Sequence, residues 1–302
     1  MNKKLASLMG MAAAAALALT ACGGDTSGGD AGASASGNDD KKELKIGIMA
    51  GWDEAVAVSN LWKQVLDKKG YDVELTTADA APIFSGVATG ALDLTMDVWL
   101  PQTHKDYMDE YGDKMTELGT WYDNAKLTIA VNKDAPIDSL EDLAKNADKF
   151  NNTIYGIDPG AGLTKATEEK VIPEYGLEKM KFLTSSTPAM LAQLKKSTDA
   201  GENIVVTLWR PHWAYDEFPI KDLKDPKNTL GTAEHITAYG DADFEKDYPT
   251  LTKWMKDFKM DDEHLFSLEN AMFNGTDTDN YAPIVDKWIS ENQDYVDSLT
   301  AE

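Results

Sequence analysis

From Leu44 onward the apolar residues fall into two spacings. Unbroken apolar runs predict buried strands at KIGIMAGW (45–52), DLTMDVW (93–99), LTIAVNK (127–133) and NIVVTLW (203–209). Shorter strands are expected at DVELTT (72–77), TIYGID (153–158), KFLTSS (181–186) and ITAYG (236–240). Between them apolar positions recur three and four apart. Ala55, Val58, Leu61, Trp62, Val65 and Leu66 place a helix over 53–69 that stops at Gly70. Further helices are expected over 82–92, 103–111, 139–150 with Ser139 as its cap, 163–175 and 188–200, and three acidic helices close the chain. Strands alternating with helices predict an α/β architecture with largely parallel sheets in two units. The first unit takes 44–131 and 237–302, the second 132–236. A cleft between two such units is a usual place for a small-molecule site.

Three of the eight tryptophans, Trp52, Trp99 and Trp209, close predicted strands, and ligands of open α/β sheets bind beyond the carboxyl ends of strands. Tryptophan faces in a cleft suit a sugar, which also needs hydrogen bonds all round, or a quaternary ammonium, held by the ring quadrupoles. Three cation–ring contacts supply up to ~6 kcal/mol, whereas a micromolar ligand needs about 8. A second attraction is therefore required. Asp158-Pro-Gly-Ala-Gly-Leu163 offers one, because a glycine loop opening a helix presents free backbone N–H groups that favour an anion. His104, one helical turn past Trp99, is a further candidate donor. A zwitterion would use both halves. Trp62, Trp254 and Trp288 fall on predicted helices as core residues, while Trp121 and Trp213 lie near loops that could reach the cleft. Asp53 and Glu54, beside Trp52, read as solvated helix-start acids, with negative potential near a bound cation as the alternative.

The formal net charge is −23, from 29 Lys and Arg against 52 Asp and Glu, which makes nucleic acid a poor partner. The four histidines show no HxH or HxxxH spacing, so no metal site is expected, nor any cofactor. Residues 1–21 carry Lys3 and Lys4 and then an apolar stretch too short to span a bilayer, the pattern of a signal peptide. Leu19-Thr20-Ala21-Cys22 is similar to a bacterial lipobox, which implies cleavage before Cys22 and lipidation of its thiol. Cys22 is the only cysteine, so no disulfide forms within the chain. Residues 22–43, rich in Gly, Ser, Asp and Ala, read as a flexible tether.

GWDEAVAVSNLWKQVL, DVWLPQTHKDY, YGDKMTELGTWY, GIDPGAGL and LWRPHW together resemble the glycine betaine-binding proteins of osmoprotectant ABC importers, over Leu44 to the C-terminus. The resemblance implies a two-lobed periplasmic-binding-protein fold, type II-like, with the ligand in the interlobe cleft. It implies a cage of Trp52, Trp99 and Trp209 around a trimethylammonium group. His104 and the backbone N–H groups of Gly162 and Leu163 would hold the carboxylate, and His212 would support the Trp209 loop. The expected role is capture and delivery without chemistry. The partners would be a betaine ligand, a permease and its ATPase, with a lipid anchor on the outer face of the bacterial cytoplasmic membrane. Choline, carnitine and proline betaine remain alternative ligands.

Overall fold

The computed structural model describes residues 41–276 and 278–301; the expected leader, Cys22 and most of the tether lie outside them. Nine strands are present among the described residues: β1 Glu43–Met49, β2 Asp72–Ala78, β3 Leu94–Leu100, β4 Met115–Asn132, β5 Thr153–Tyr155, β6 Lys181–Leu183, β7 Val205–Arg210, β8 Ile220–Asp222 and β9 Glu234–Asp241. Their order is β2-β1-β3-β9-β4-β7-β5-β6, with β8 also on β4.

The long strand β4 serves two sheets. Its first part pairs antiparallel with β9 as far as Ala125 opposite Glu234. From Lys126, opposite Arg210, it pairs antiparallel with β7. The outer pairs β1·β2, β1·β3, β5·β6 and β5·β7 are parallel. The expectation of largely parallel sheets is thus corrected to mixed ones, because β9 and β4 run against their neighbours in the middle. Only the second half of β4 was expected from the sequence. Its first half carries Glu117, Gly119, Asp123 and Asn124, and its register against β9 shifts three times, so no clean alternation shows.

Helix α1 (Asp53–Lys68) starts three residues beyond β1 and buries Val58, Leu61, Trp62, Val65 and Leu66 against the first sheet and the C-terminal helices Asp262–Phe273 and Ala282–Glu291. Helix α2 (Ala80–Ala88) follows β2, and α3 (Lys105–Tyr111) follows β3. Trp62 is fully buried edge-on to Phe258, and Trp121 stacks on the same ring. Trp121 also donates its indole N–H to the carbonyl of Met96 at 2.6 Å, so it is a core residue and does not reach a cleft. No helix among the described residues is long and apolar enough to cross a membrane.

Candidate functional site

Two strand ends and one helix start bring the three tryptophans to one place. Trp52, expected to close a strand, instead caps α1, because β1 stops at Met49. Trp52 is the residue before α1, while Trp99 and Trp209 are the penultimate residues of β3 and β7. β3 and β7 are buried along nearly their whole length, which is why both read as apolar runs. Both chains turn at once after tryptophan, through cis Leu100–Pro101 and cis Arg210–Pro211. All three rings border a single small cavity, and His104, Gly162 and Leu163 border it too. The rest of its wall is Glu54, Thr103, Leu127, Ile157 and Ala161.

His104 sits just ahead of α3, and its ring turns back toward β3. Its Nδ1 accepts the backbone N–H of Trp99 at 2.9 Å. An accepting Nδ1 puts the ring proton on Nε2. That Nε2 is buried and has no partner. Burial holds the imidazole near a pKa of about 3, so it is neutral at physiological pH and can still donate. The ring stacks on Trp52, with centroids 5.2 Å apart and planes 10° apart. One unused donor therefore sits on a residue of the cavity wall, beside the tryptophans.

Each wall tryptophan gives its indole N–H to a carboxylate. Trp99 Nε1 donates to Asp97 Oδ1 at 2.8 Å, Trp209 Nε1 to Glu54 Oε2 at 2.8 Å, and Trp52 Nε1 to Asp158 Oδ2 at 3.3 Å. These bonds engage the indole N–H edges and leave the ring faces free of hydrogen bonds. They also correct the reading of Asp53 and Glu54 as solvated. Glu54 is 1% exposed, and Asp53 is covered by Trp213, whose Nε1 donates to Asp53 Oδ2 at 2.5 Å. Burial raises the pKa of Asp53 to about 7 and that of Asp97 to about 7. Burial, followed by the Asp97 and Glu269 charges, pushes Glu54 well above the usual carboxylate range.

The loop 158–162 is fixed from both sides. Asp158 Oδ1 accepts the Gly160 N–H at 3.2 Å, and Thr164 Oγ1 donates to the Asp158 carbonyl at 2.7 Å. The helix then runs from Gly162 to Tyr175 with a π-helical turn at Thr167–Val171. Its first N–H groups, at Gly162 and Leu163, have no partner one turn back. A Cβ on Gly162 would lie 2.2 Å from the carbonyl oxygen of Thr103, so only glycine admits this approach. Thr103 is itself held by Glu234 at the start of β9, which accepts the N–H groups of Gln102 at 2.6 Å and Thr103 at 2.9 Å as well as the Thr103 hydroxyl.

Comparison with known proteins shows the family. Residues 42–291 match the family model described as the substrate binding domain of ABC-type glycine betaine transport systems. The chain belongs to this family. A curated relative, the glycine betaine/carnitine transport binding protein GbuC of Listeria monocytogenes, is 36% identical over 168 residues, 55% of this chain and 54% of its own. The chain thus spans about half the length of that relative. The crystal structure of lactococcal OpuAC, closed and complexed with glycine betaine, superposes with a TM-score of 0.79 at 32% identity, covering 86% of this chain and 100% of that one. ProX from Borrelia burgdorferi, a glycine betaine/L-proline-binding protein, gives 0.80 at 29% identity, covering 86% and 97%. The fold is the two-lobed binding-protein fold of this family.

Not every residue considered for the site reaches it in this family member. Trp213 packs beside His212 and Phe218 and lies off the cavity wall. His212 meets the Trp209 ring edge-on with centroids 4.7 Å apart, and its Nδ1 accepts the Ala214 N–H at 3.1 Å. Asp97, Glu234 and Thr103 were not singled out from the sequence, and Asp158 only as the first residue of the glycine loop. Asp97 carried a signal, since an acid inside a strand buried on both faces needs a partner. The others reach their partners only through distant chain.

Proposed function

We propose that this protein captures a small zwitterion bearing a quaternary ammonium and a carboxylate, glycine betaine foremost, and delivers it to an ABC importer. The observation that carries this reading is the pairing of three tryptophan faces with one buried, unpartnered donor, His104 Nε2, across a single small cavity. The rings hold the cation, which has no N–H to donate and so asks for no acceptor. His104 Nε2–H and the backbone N–H groups of Gly162 and Leu163 hold the carboxylate. A sugar fits poorly. The polar side chains on the wall are Glu54, Thr103 and His104, and the first two are engaged by Trp209 and Glu234.

The lobes in this reading are 44–131 with 237–302, and 132–236. The hinge lies where β4 changes sheets, between Ala125 and Lys126, and where β9 begins. Closure is stabilised by contacts spanning the cleft: Tyr107 Oη to the Gly160 carbonyl at 3.0 Å, Lys165 with Asp106, and Asn270 Nδ2 to Asp216 Oδ2 at 2.8 Å. Ligand favours the closed form by its differential affinity for it. Cys22 carries the lipid that tethers the domain to the outer face of the cytoplasmic membrane. No bond of the ligand is made or broken.

Calorimetric titration with glycine betaine, proline betaine, carnitine and choline tests the reading, with recovery of unchanged ligand as a control. Saturable binding of a betaine is expected. Binding of choline far more tightly than any betaine would overturn the carboxylate half. Chemical change of the ligand would overturn the transport role.

A further inference from the structure

Behind the aromatic wall lies a layer of acids with which, among the described residues, no lysine or arginine pairs. Glu54, at the start of α1, borders the cavity with its Oε2 on the Trp209 indole. Asp53 precedes it, Asp97 faces it from β3, and Glu269 from the helix Asp262–Phe273. The only basic side chain paired with any of the four is His212, whose Nε2 is 3.6 Å from Asp53 Oδ2; among the described residues no lysine or arginine pairs with them. His212 is itself buried and held neutral by that burial. Asp97 Oδ2 has no hydrogen-bond partner at all. An acid buried without a cation is costly, and the cost falls when a positive charge arrives.

We infer that Glu54 is the counter-charge of the cage: its carboxylate, held on the cavity wall by the Trp209 indole, selects a permanent cation over an uncharged group of the same shape. The inference rests on the zwitterion reading above. Of the four acids only Glu54 lines the cavity, so it feels the ligand most directly. Asp97 stands behind it on the Trp99 indole. A carboxylate accepting an indole N–H also makes that ring more electron-rich, which strengthens its face toward a cation. The aromatic faces already favour a cation through their quadrupoles. A fixed carboxylate adds to that preference for charge.

The test compares glycine betaine with tert-butylacetic acid, its uncharged-head analogue in which C(CH3)3 replaces N(CH3)3+. Both carry the same carboxylate. Affinities are measured by calorimetry for the wild type and for Glu54→Gln, which keeps an acceptor for the Trp209 indole. The wild type is expected to prefer glycine betaine by at least about tenfold, and Glu54→Gln to lower that ratio by at least about threefold. If the ratio in Glu54→Gln equals that of the wild type, whatever happens to the separate affinities, Glu54 only holds Trp209 and the inference is overturned. A wild type that binds both ligands equally overturns the inference and the cation half of the zwitterion reading with it. A wild type that binds neither removes both. Proton release in the wild type, measured in two buffers of different ionisation enthalpy, keeps the test open if Glu54→Gln does not fold. Glycine betaine should release more protons than tert-butylacetic acid, because only its head group favours ionised acids; equal release overturns the inference.

Discussion

The backbone N–H of Trp99 donates to Nδ1 of His104 at 2.9 Å, so one strand end fixes both an aromatic wall and the tautomer of the donor beside it. The proton is thereby committed to Nε2, which is buried and free. Truncating this ring should hurt ligands with a carboxylate and spare those without one. A hydrogen bond to a charged group contributes about 1.5–3 kcal/mol, or roughly ten- to hundredfold in affinity. His104→Ala is expected to lose that much for glycine betaine and less than about threefold for choline. Equal losses for the two ligands, read by titration, would assign His104 to packing against Trp52 instead.

Trp99 is anchored through Asp97 and borders the cavity. Trp99→Ala removes one wall of the cage and with it more than ~1.4 kcal/mol, so glycine betaine affinity should fall at least about tenfold. Trp99→Phe keeps an aromatic face but gives up the bond to Asp97, and its loss should be smaller. Unchanged affinity in Trp99→Ala would take this residue out of the site.

Much of the site was legible because its elements are buried strands. β3 and β7 are covered on both faces, so their apolar runs end visibly at Trp99 and Trp209. The glycine loop before Leu163 announced itself in the same way. What stayed hidden depends on chain far away in sequence. Asp53 and Glu54 carry the ordinary signature of a helix start, acids in the first turn. They become buried only when Trp213 and Trp209, 160 and 155 positions away, fold over them. Glu234 holds the Gln102–Thr103 turn from 132 positions away, and no local pattern marks it. The first half of β4 escaped for a different reason. Asn124 at φ 74° and Gly119 at φ 132° break its alternation.

The buried acids set the direction of the pH response. Burial holds Asp53 and Asp97 at about 7 against an ordinary value of 3.8, and Glu54 and Glu269 shift the same way. Between those values the folded chain keeps protons that the unfolded chain releases. The stability these four groups contribute is full below their unfolded pKa and is lost as pH rises through the folded one. His104 and His212 act in the opposite sense, at about 3 in the folded chain against 6.5. Their contribution is present above 6.5 and is lost as pH falls toward 3. Four acids outweigh two histidines. The ligand-free protein should therefore melt at a higher temperature near pH ~5.5 than near pH ~8. Asp97→Asn, which keeps an acceptor for Trp99, should flatten the trend. Thermal melts across that range decide it, and a melting temperature that drops steadily on acidification would mean that the histidines dominate.

Gly162 separates ligand capture from folding. Its missing Cβ admits the carbonyl of Thr103, which belongs to the segment after β3, whereas Gly162 opens a helix after β5 in the other sheet. In the hinged reading these two segments meet only on closure. Gly162→Ala then blocks closure, because the clash at 2.2 Å is with backbone and no side chain can swing away. Overpacking of this kind costs about 1–3 kcal/mol, so glycine betaine affinity should fall roughly ten- to hundredfold. The melting temperature of the ligand-free protein should stay near that of the wild type, since the open form makes no such contact. Gly240→Ala is the contrast. There a Cβ would meet the Phe244 ring at 2.6 Å within one sheet and its adjoining helix, so stability itself should drop. Titration and melts of the two variants side by side separate the effects, and a Gly162→Ala protein that binds normally would show that the cleft closes without bringing Thr103 onto the helix start.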